Sequence, residues 1–258
     1  MIAKIIVLFL LAAPWAWSWG QEGHRITAQI AERRLSAKAL AAVRQILGPN
    51  RSLADIANLA DEVRNQHPET APWHYVDIPL TATSLDRAKY CPNDQCVIGA
   101  IERFQRELAA PGLSPERRYE ALYYIVHFVG DLHQPLHCAD RDDRGGNDVP
   151  VEFQGQAMNL HQVWDSGIIN SMHLDGEKLR RLGKISRRRR RAWGRGTPGQ
   201  WAMESHDLAR DVAYRFPEPG MDPVVLDRNY ERRAASVVRT QLAKAGYRLA
   251  YALNQIYR

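Results

Sequence analysis

The stretch from Ser114 to His137 leaves the chain little choice of local structure. Ser114-Pro115-Glu116 joins an N-cap residue to a proline at the first helical position, where a missing N–H costs nothing. Leu122, Ile125, Phe128, Val129 and Leu132 then recur at helical spacing, and Pro135 limits the run. This predicts one long helix with a buried stripe. His127 and Asp131 stand four residues apart on it and share a face, and His137 follows just beyond the proline.

Most of the remaining chain has the same period. His24 to Arg33 reads as a first helix, and Ser36 caps a run carrying Leu40, Val43, Ile46 and Leu47 that stops at Gly48. Ser52 caps a further helix with Ile56, Leu59 and Val63 inward, and Val97, Ile101, Phe104 and Leu108 mark another. A helix over Leu160 to Ile169 and a final one from about Asn229 to Ile256 complete the set. Val149 to Phe153 with the Gly155 turn is the only credible hairpin. The reading is a mostly α, single helical domain with a small β-hairpin. Its 45% apolar and 25% charged composition excludes fibrous, low-complexity and wholly disordered classes.

Lys4, the short apolar run Ile5 to Ala13 and the small-x-small site Ala16-Trp17-Ser18 read as a secretory signal peptide over residues 1–18, leaving 19–258 as the mature domain. No later stretch is long and apolar enough to span a membrane, so no membrane anchor is expected. In an oxidising compartment Cys91 and Cys96 can close the tight loop between them, which leaves Cys138 as a free thiol or a buried small hydrophobe. The net charge of +6 suits polyanionic partners without choosing among them. The five arginines Arg187 to Arg191 read either as a solvated face or as a phosphate-attracting patch.

His161 and Asp165 repeat the four-residue pairing of His127 and Asp131. Asp61 at a helix end and His74 in Trp73-His74-Tyr75 add two more candidates. Neutral imidazoles with carboxylates suit Zn²⁺. Any one of these residues alone reads as a core histidine or a helix cap; the composite spacing is what points to metal. Cleavage after Ser18 would free the amine of Trp19, whose nitrogen and carbonyl oxygen can chelate a metal, with His24 nearby in sequence. Trp19 as a mere packed aromatic is the other reading.

Together, Trp19-Gly20-Gln21-Glu22-Gly23-His24, Ala60-Asp61-Glu62-Val63-Arg64, Trp73-His74-Tyr75-Val76-Asp77, the run His127 to His137, Gly145-Gly146-Asn147 and Asn159-Leu160-His161-Gln162-Val163-Trp164-Asp165 resemble the S-one/P-one nuclease family. The resemblance runs in order from Trp19 to the C-terminal helix. It implies three zincs. Asp61, His74, His127 and Asp131 would hold the first; the Trp19 amine and carbonyl, His24 and a bridging Asp131 the second; His137, His161 and Asp165 the third. It further implies that Asp61 orients the attacking water and that Arg64 neutralises charge developing on the phosphate. Tyr75 would stack on a base, Asp77 would accept hydrogen bonds from a base edge, and Asn147 would touch phosphate. His133 matches no ligand position, and His67, His173 and His206 are not read as ligands.

The implied activity is endonucleolytic cleavage of single-stranded DNA and RNA to 5′-phosphate products, with 3′-nucleotides as further substrates. The enzyme would be a secreted or periplasmic monomer. A zinc-dependent phospholipase C shares the helical three-zinc scaffold by resemblance and is the alternative. The short Trp19-to-His24 spacing, Asp rather than Glu at position 165, and Tyr75 and Asp77 after His74 favour the nuclease.

Overall fold

The computed structural model describes residues 19–216 and 223–258; the expected signal peptide, residues 1–18, lies outside the described residues. Helices α1 (Gln21–Glu32), α2 (Ala37–Leu47), α3 (Leu59–Arg64), α4 (Arg87–Tyr90) and α5 (Val97–Ala109) precede the long α6 (Pro115–Asp131). After it come α7 (Leu160–Gln162), α8 (Ile168–Ser171), α9 (Gly176–Leu182), α10 (Arg187–Trp193), α11 (Pro198–Leu208) and α12 (Arg228–Ile256). Side-chain caps start several of them: Ser36 Oγ accepts from Ala39 N at 3.2 Å and Ser114 Oγ from Arg117 N at 3.3 Å. Gly48, at φ 88°, ends α2 in a conformation that favours glycine.

Helix α6 is buried on every side from Ala121 to Asp131, packed by α5, α12, α1 and α3. One apolar cluster lies toward α5 around Phe104, Leu122 and Phe128. A second gathers Trp19, Trp164, Tyr230 and Leu242 around α12. The polar end of α6 is therefore enclosed by protein, and its His127 and Asp131 are wholly buried.

The expected hairpin is present as β1 (Pro150–Phe153) and β2 (Gln156–Asn159), antiparallel. Its two-residue turn, Gln154-Gly155, has φ of 53° and 75°, as a turn matching strand twist requires. A third strand, β3 (Val224–Leu226), pairs parallel to β1 with Val151 opposite Val224, giving the order β2-β1-β3. The sequence reading had no place for it.

Two further helix expectations need adjustment. Ser52 caps only the 3-10 turn Leu53–Asp55, not a helix running through Val63. Helix α6 ends at Asp131 with Leu132 as its C-cap, within the limit set by Pro135. The helix over 160–171 widens into a π-turn at Val163–Gly167. The Cys91–Cys96 disulfide forms, with Cα atoms 5.3 Å apart, around the 3-10 turn Pro92–Asp94. Cys138 is free and buried, and its thiol donates to the Leu132 carbonyl at 3.3 Å.

Candidate metal centre

Five residues from four elements meet at the end of α6. His127 Nε2 and Asp131 Oδ2, one turn apart, are 3.4 Å from each other. His74 ends the 3-10 segment Pro68–His74 and brings its Nδ1 to 3.0 Å from Asp131 Oδ2 and 3.7 Å from Asp61 Oδ1. Asp61, in the first turn of α3, places Oδ2 3.6 Å from His127 Nε2. His24 of α1 approaches from the other side, with Nε2 3.3 Å from Asp131 Oδ1. The two oxygens of Asp131 thus face different partners: Oδ2 toward His74 and His127, Oδ1 toward His24.

A second group lies beside it. His137 comes from the 3-10 turn Pro135–Cys138, His161 from α7 and Asp165 from the π-turn. The two Nε2 atoms are 3.1 Å apart, and Asp165 lies 3.4 Å from His161 and 3.9 Å from His137. Ligands about 2.0–2.1 Å from a tetrahedral Zn²⁺ stand roughly 3.4 Å from one another, so these donor spacings fit that ion. Three such groupings occur among the described residues: His24-His127-Asp131, Asp61-His74-His127 and His137-His161-Asp165.

The backbone fixes which nitrogen faces each centre. His127 Nδ1 donates to the Ala57 carbonyl at 2.7 Å, His137 Nδ1 to that of His74 at 2.8 Å, and His161 Nδ1 to that of Gly145 at 2.7 Å. Each Nε2 is left pointing inward, the arrangement in which an imidazole ligates. Gly145, at φ 62°, is part of this: a Cβ there would stand 2.6 Å from the Leu136 carbonyl oxygen. Gln134 Nε2 donates to Asp165 Oδ1 at 2.7 Å and holds that carboxylate in place.

The electrostatics of the imidazoles and of Asp131 suit metal chemistry. Burial holds the pKa values of His74, His127 and His137 down, and burial together with His137 brings that of His161 to about 3. All four are neutral, the form that binds a cation. Burial would raise Asp131, but His127, His24 and His74 hold it well below the usual carboxylate range. Burial drives Asp165 the other way, well above that range. Asp165 Oδ2 is buried and accepts no hydrogen bond among the described residues. Such an atom is costly unless a cation faces it.

Trp19 is fully buried in the second apolar cluster, and the next residue ties this segment to the site: Gly20 N donates to the Asp165 carbonyl at 2.8 Å. Trp19 lies over Gly23, where a Cβ would come within 2.9 Å of the Trp19 Cβ. The packed-aromatic reading of Trp19 therefore holds for its side chain, independently of any role for its amine.

Arg64, Tyr75, Asp77 and Asn147 all line one cavity of 470 Å³, with His74, His137 and His161 in its wall. Arg64 Nη1 lies 3.7 Å from Asp61 Oδ1. Tyr75 is 39% exposed, enough to offer a ring face to a ligand. Asp77 is exposed as a residue, but desolvation of its carboxyl against the cavity wall, with Asp140 nearby, raises its pKa to about 6. Asn147 Nδ2 donates to the Arg144 carbonyl at 2.8 Å. The sequence reading missed three polar lining residues, Asn65, Asp140 and Arg144. Asp140 shapes the following loop by accepting from Gly145 N at 2.9 Å.

His133 is not a member of any grouping: its Nε2 faces Arg248 Nη1 at 2.9 Å. His67 pairs with Glu69, His206 faces the Pro79 carbonyl and His173 is exposed, so none of the three reaches the centre.

A family model described as S1/P1 Nuclease matches residues 19–258. The chain belongs to the S1/P1 nuclease family. Endonuclease 2 of Arabidopsis thaliana is 32% identical over 286 residues, covering 100% of this chain and 97% of that protein. Nuclease P1 of Penicillium citrinum is 29% identical over 266 residues, with 93% and 98% covered. Nuclease S1 of Aspergillus oryzae is 26% identical, with 96% and 94% covered. The S1/P1 nuclease described here is accordingly a hydrolase of phosphodiester bonds in nucleic acid, and the phospholipase alternative is set aside. Its buried His and Asp groups are suited to the metal on which such a nuclease depends. No described helix is long and apolar enough to cross a membrane.

Proposed function

We propose that this nuclease is a three-zinc endonuclease that cleaves single-stranded DNA and RNA to 5′-phosphate products and also removes phosphate from 3′-nucleotides. The observation that carries the proposal is the division of Asp131 between two donor sets, with the His137-His161-Asp165 set beside them on the wall of one cavity. Asp61, His74, His127 and Asp131 would hold one zinc. His24 and Asp131, with the amine and carbonyl of a processed Trp19, would hold its partner. His137, His161 and Asp165 would hold the third. Bound zinc supplies charge neutralisation at phosphate and water ionised near pH 7.

The chain's own groups do the rest. Attack of water on phosphorus breaks the P–O3′ bond, leaving a 3′-hydroxyl on one product and a 5′-phosphate on the other. Asp61 orients the attacking water. The Arg64 guanidinium faces the non-bridging oxygens as their charge grows. Tyr75 offers its face to an unstacked base and Asp77 accepts from that base's edge, which a base locked inside a duplex does not provide. Asn147 contacts phosphate. Residues 19–258 form the mature, monomeric enzyme, released from a signal peptide into a secreted or periplasmic location.

The test is zinc analysis of mature protein together with assays on single-stranded DNA, RNA, duplex DNA and a 3′-nucleotide. Cleavage of both single strands and the 3′-nucleotide, with duplex spared, is expected. Equal cleavage of duplex and single strand would remove the specificity claim.

A further inference from the structure

The positive charge of this protein is concentrated in one place. Residues 176–195 hold ten Lys and Arg against one Glu, while the other 238 residues hold 25 Lys and Arg against 28 Asp and Glu. Without this segment the chain would be slightly acidic. The segment comprises α9, the Gly183 turn and α10 with its five arginines, and all five are exposed. None of their guanidinium groups pairs with a carboxylate among the described residues.

It is a built surface rather than a loose tail. Arg34 Nη2 and Tyr247 Oη both donate to the Gly183 carbonyl, at 2.8 and 2.9 Å. Buried Arg248 donates through Nε to the Trp193 carbonyl at 3.1 Å, and the Trp193 ring meets Tyr247 edge-on at 6.0 Å. Between the end of α1 and the end of α9, Arg33, Arg34, Arg180 and Lys184 surround a pocket of 180 Å³. Tyr251, one of the few exposed large hydrophobics at 43%, lies against the end of α10, where a Cβ on Gly194 would be 3.2 Å from its ring. This surface adjoins the C-terminal end of α1, whereas His24 is near its N-terminal end. The rise of a helix puts about 14 Å of axis between His24 and Arg33.

We propose that α9, α10 and the Arg33-Arg34 corner form a second nucleic-acid interface, apart from the cleavage cavity, that grips the phosphodiester backbone of a long single strand while Tyr251 stacks on one of its bases. The proposal rests on the single-strand reading above. Exposed guanidinium groups match phosphate geometry, and an aromatic face beside them completes a sequence-tolerant platform. An anionic membrane fits less well. A helix lying on lipid needs an outward apolar face, but α10 carries arginine around its whole circumference and turns Trp193 inward against Tyr247. A strand long enough to reach both surfaces is retained near the cavity; a dinucleotide is not.

The experiment compares zinc-loaded wild type with the fivefold Arg→Gln variant of positions 187–191. A second variant, Arg187→Gln with Arg188→Gln and Arg191→Gln, clears one helix face only, and Tyr251→Ala tests stacking. Each is checked for an unchanged melting curve. Kinetics are measured on a 40-nucleotide single-stranded DNA and on a dinucleotide over 50 to 200 mM salt. If about three arginines touch one strand, the fivefold variant flattens the slope of log kcat/KM against log salt by about 2 for the 40-mer, equivalent to about 16-fold over that range. Its KM for the 40-mer rises about tenfold or more at the low-salt end, while dinucleotide kinetics stay as in wild type. The triple variant gives most of the effect, and Tyr251→Ala raises KM without changing the slope. An unchanged slope and KM in a folded variant overturns the interface alone. Failure of the wild type on both substrates overturns the substrate reading and the interface with it. Loss of binding to phosphatidylglycerol vesicles with unaltered 40-mer kinetics assigns the surface to lipid and overturns the proposal.

Discussion

The imidazole of His24 occupies the space that a side chain at Gly130 would need: a Cβ built on Gly130 would lie 2.7 Å from His24 Nδ1. The close approach stacks His24 on His127, centroids 3.8 Å apart and 9° from parallel, and brings its Nε2 to Asp131 Oδ1. A glycine inside a helix costs about 0.5–1 kcal/mol relative to alanine. Here that cost is accepted for the passage of one histidine.

Gly130→Ala should therefore displace His24 while leaving the fold intact. We expect the melting temperature to change little, because the helix gain and the local clash oppose each other. Bound zinc should fall by about one per chain and activity by roughly 10–100-fold, as when the support of a ligand is lost. Elemental analysis beside a thermal melt checks this. Full zinc content with full activity would mean that His24 is no ligand.

Arg64→Ala should act on turnover. Its guanidinium is placed beside Asp61 at the cavity, where charge develops in the transition state. Loss of such a contact lowers kcat by about 10²–10³, with little change in KM. Arg64→Lys should recover part of that, since it restores charge without the planar fork. Steady-state kinetics on single-stranded DNA distinguish this from a surface charge, whose removal would leave kcat as it was.

Much of this site was legible because helical spacing makes i, i+4 residues neighbours, so His127-Asp131 and His161-Asp165 could be paired on sight. The Ser114-Pro115 start of α6 was legible for the same local reason. What failed was decided at a distance. The helix expected after Ser52 breaks because Ala57 gives its carbonyl to His127, 70 residues away, and Asp61 N bonds Asn58 O instead. Strand β3 is three residues long and is defined by its parallel partner β1, far back in the chain. The pairing of Gly20 N with the Asp165 carbonyl, which anchors the segment before α1, has no local signature either.

Tyr75 and Asp77 should separate by measurement. Tyr75→Ala should weaken substrate binding by about 1–3 kcal/mol if the ring stacks on a base, and appear in KM.

Asp77 carries a pH signature in stability. Partial desolvation of its carboxyl in the cavity first, and Asp140 second, raise its pKa from 3.8 to about 6, although the residue as a whole is exposed, so the folded state binds a proton that the unfolded chain releases. Below pH 4 both states are protonated and the site is neutral in its effect. As pH rises from 4 through 6 the ionised carboxylate becomes a growing liability, which then stays constant. Asp77→Asn should match wild type near pH 4 and be the more stable protein above pH 6. Thermal melts across that range check the sign; a variant less stable at pH 7 would contradict it.

Processing before Trp19 should also matter. One extra residue turns its amine into an amide, a poor metal donor near neutral pH. The extended protein should fold, since Trp19 packs through its side chain, yet bind less zinc and lose most of its activity. N-terminal sequencing must confirm that the extension survives. Equal zinc and activity in the two forms would leave Trp19 a structural residue only.

The central claim is that the His and Asp groups of this nuclease are three zinc sites. Its most direct test is zinc per chain in mature protein, dialysed against metal-free buffer and measured by elemental analysis, with single-strand cleavage followed in the same sample during chelation and zinc return. The account predicts about three zincs per chain, loss of cleavage as they are withdrawn and recovery when zinc is restored. One zinc or none in fully active protein would contradict it.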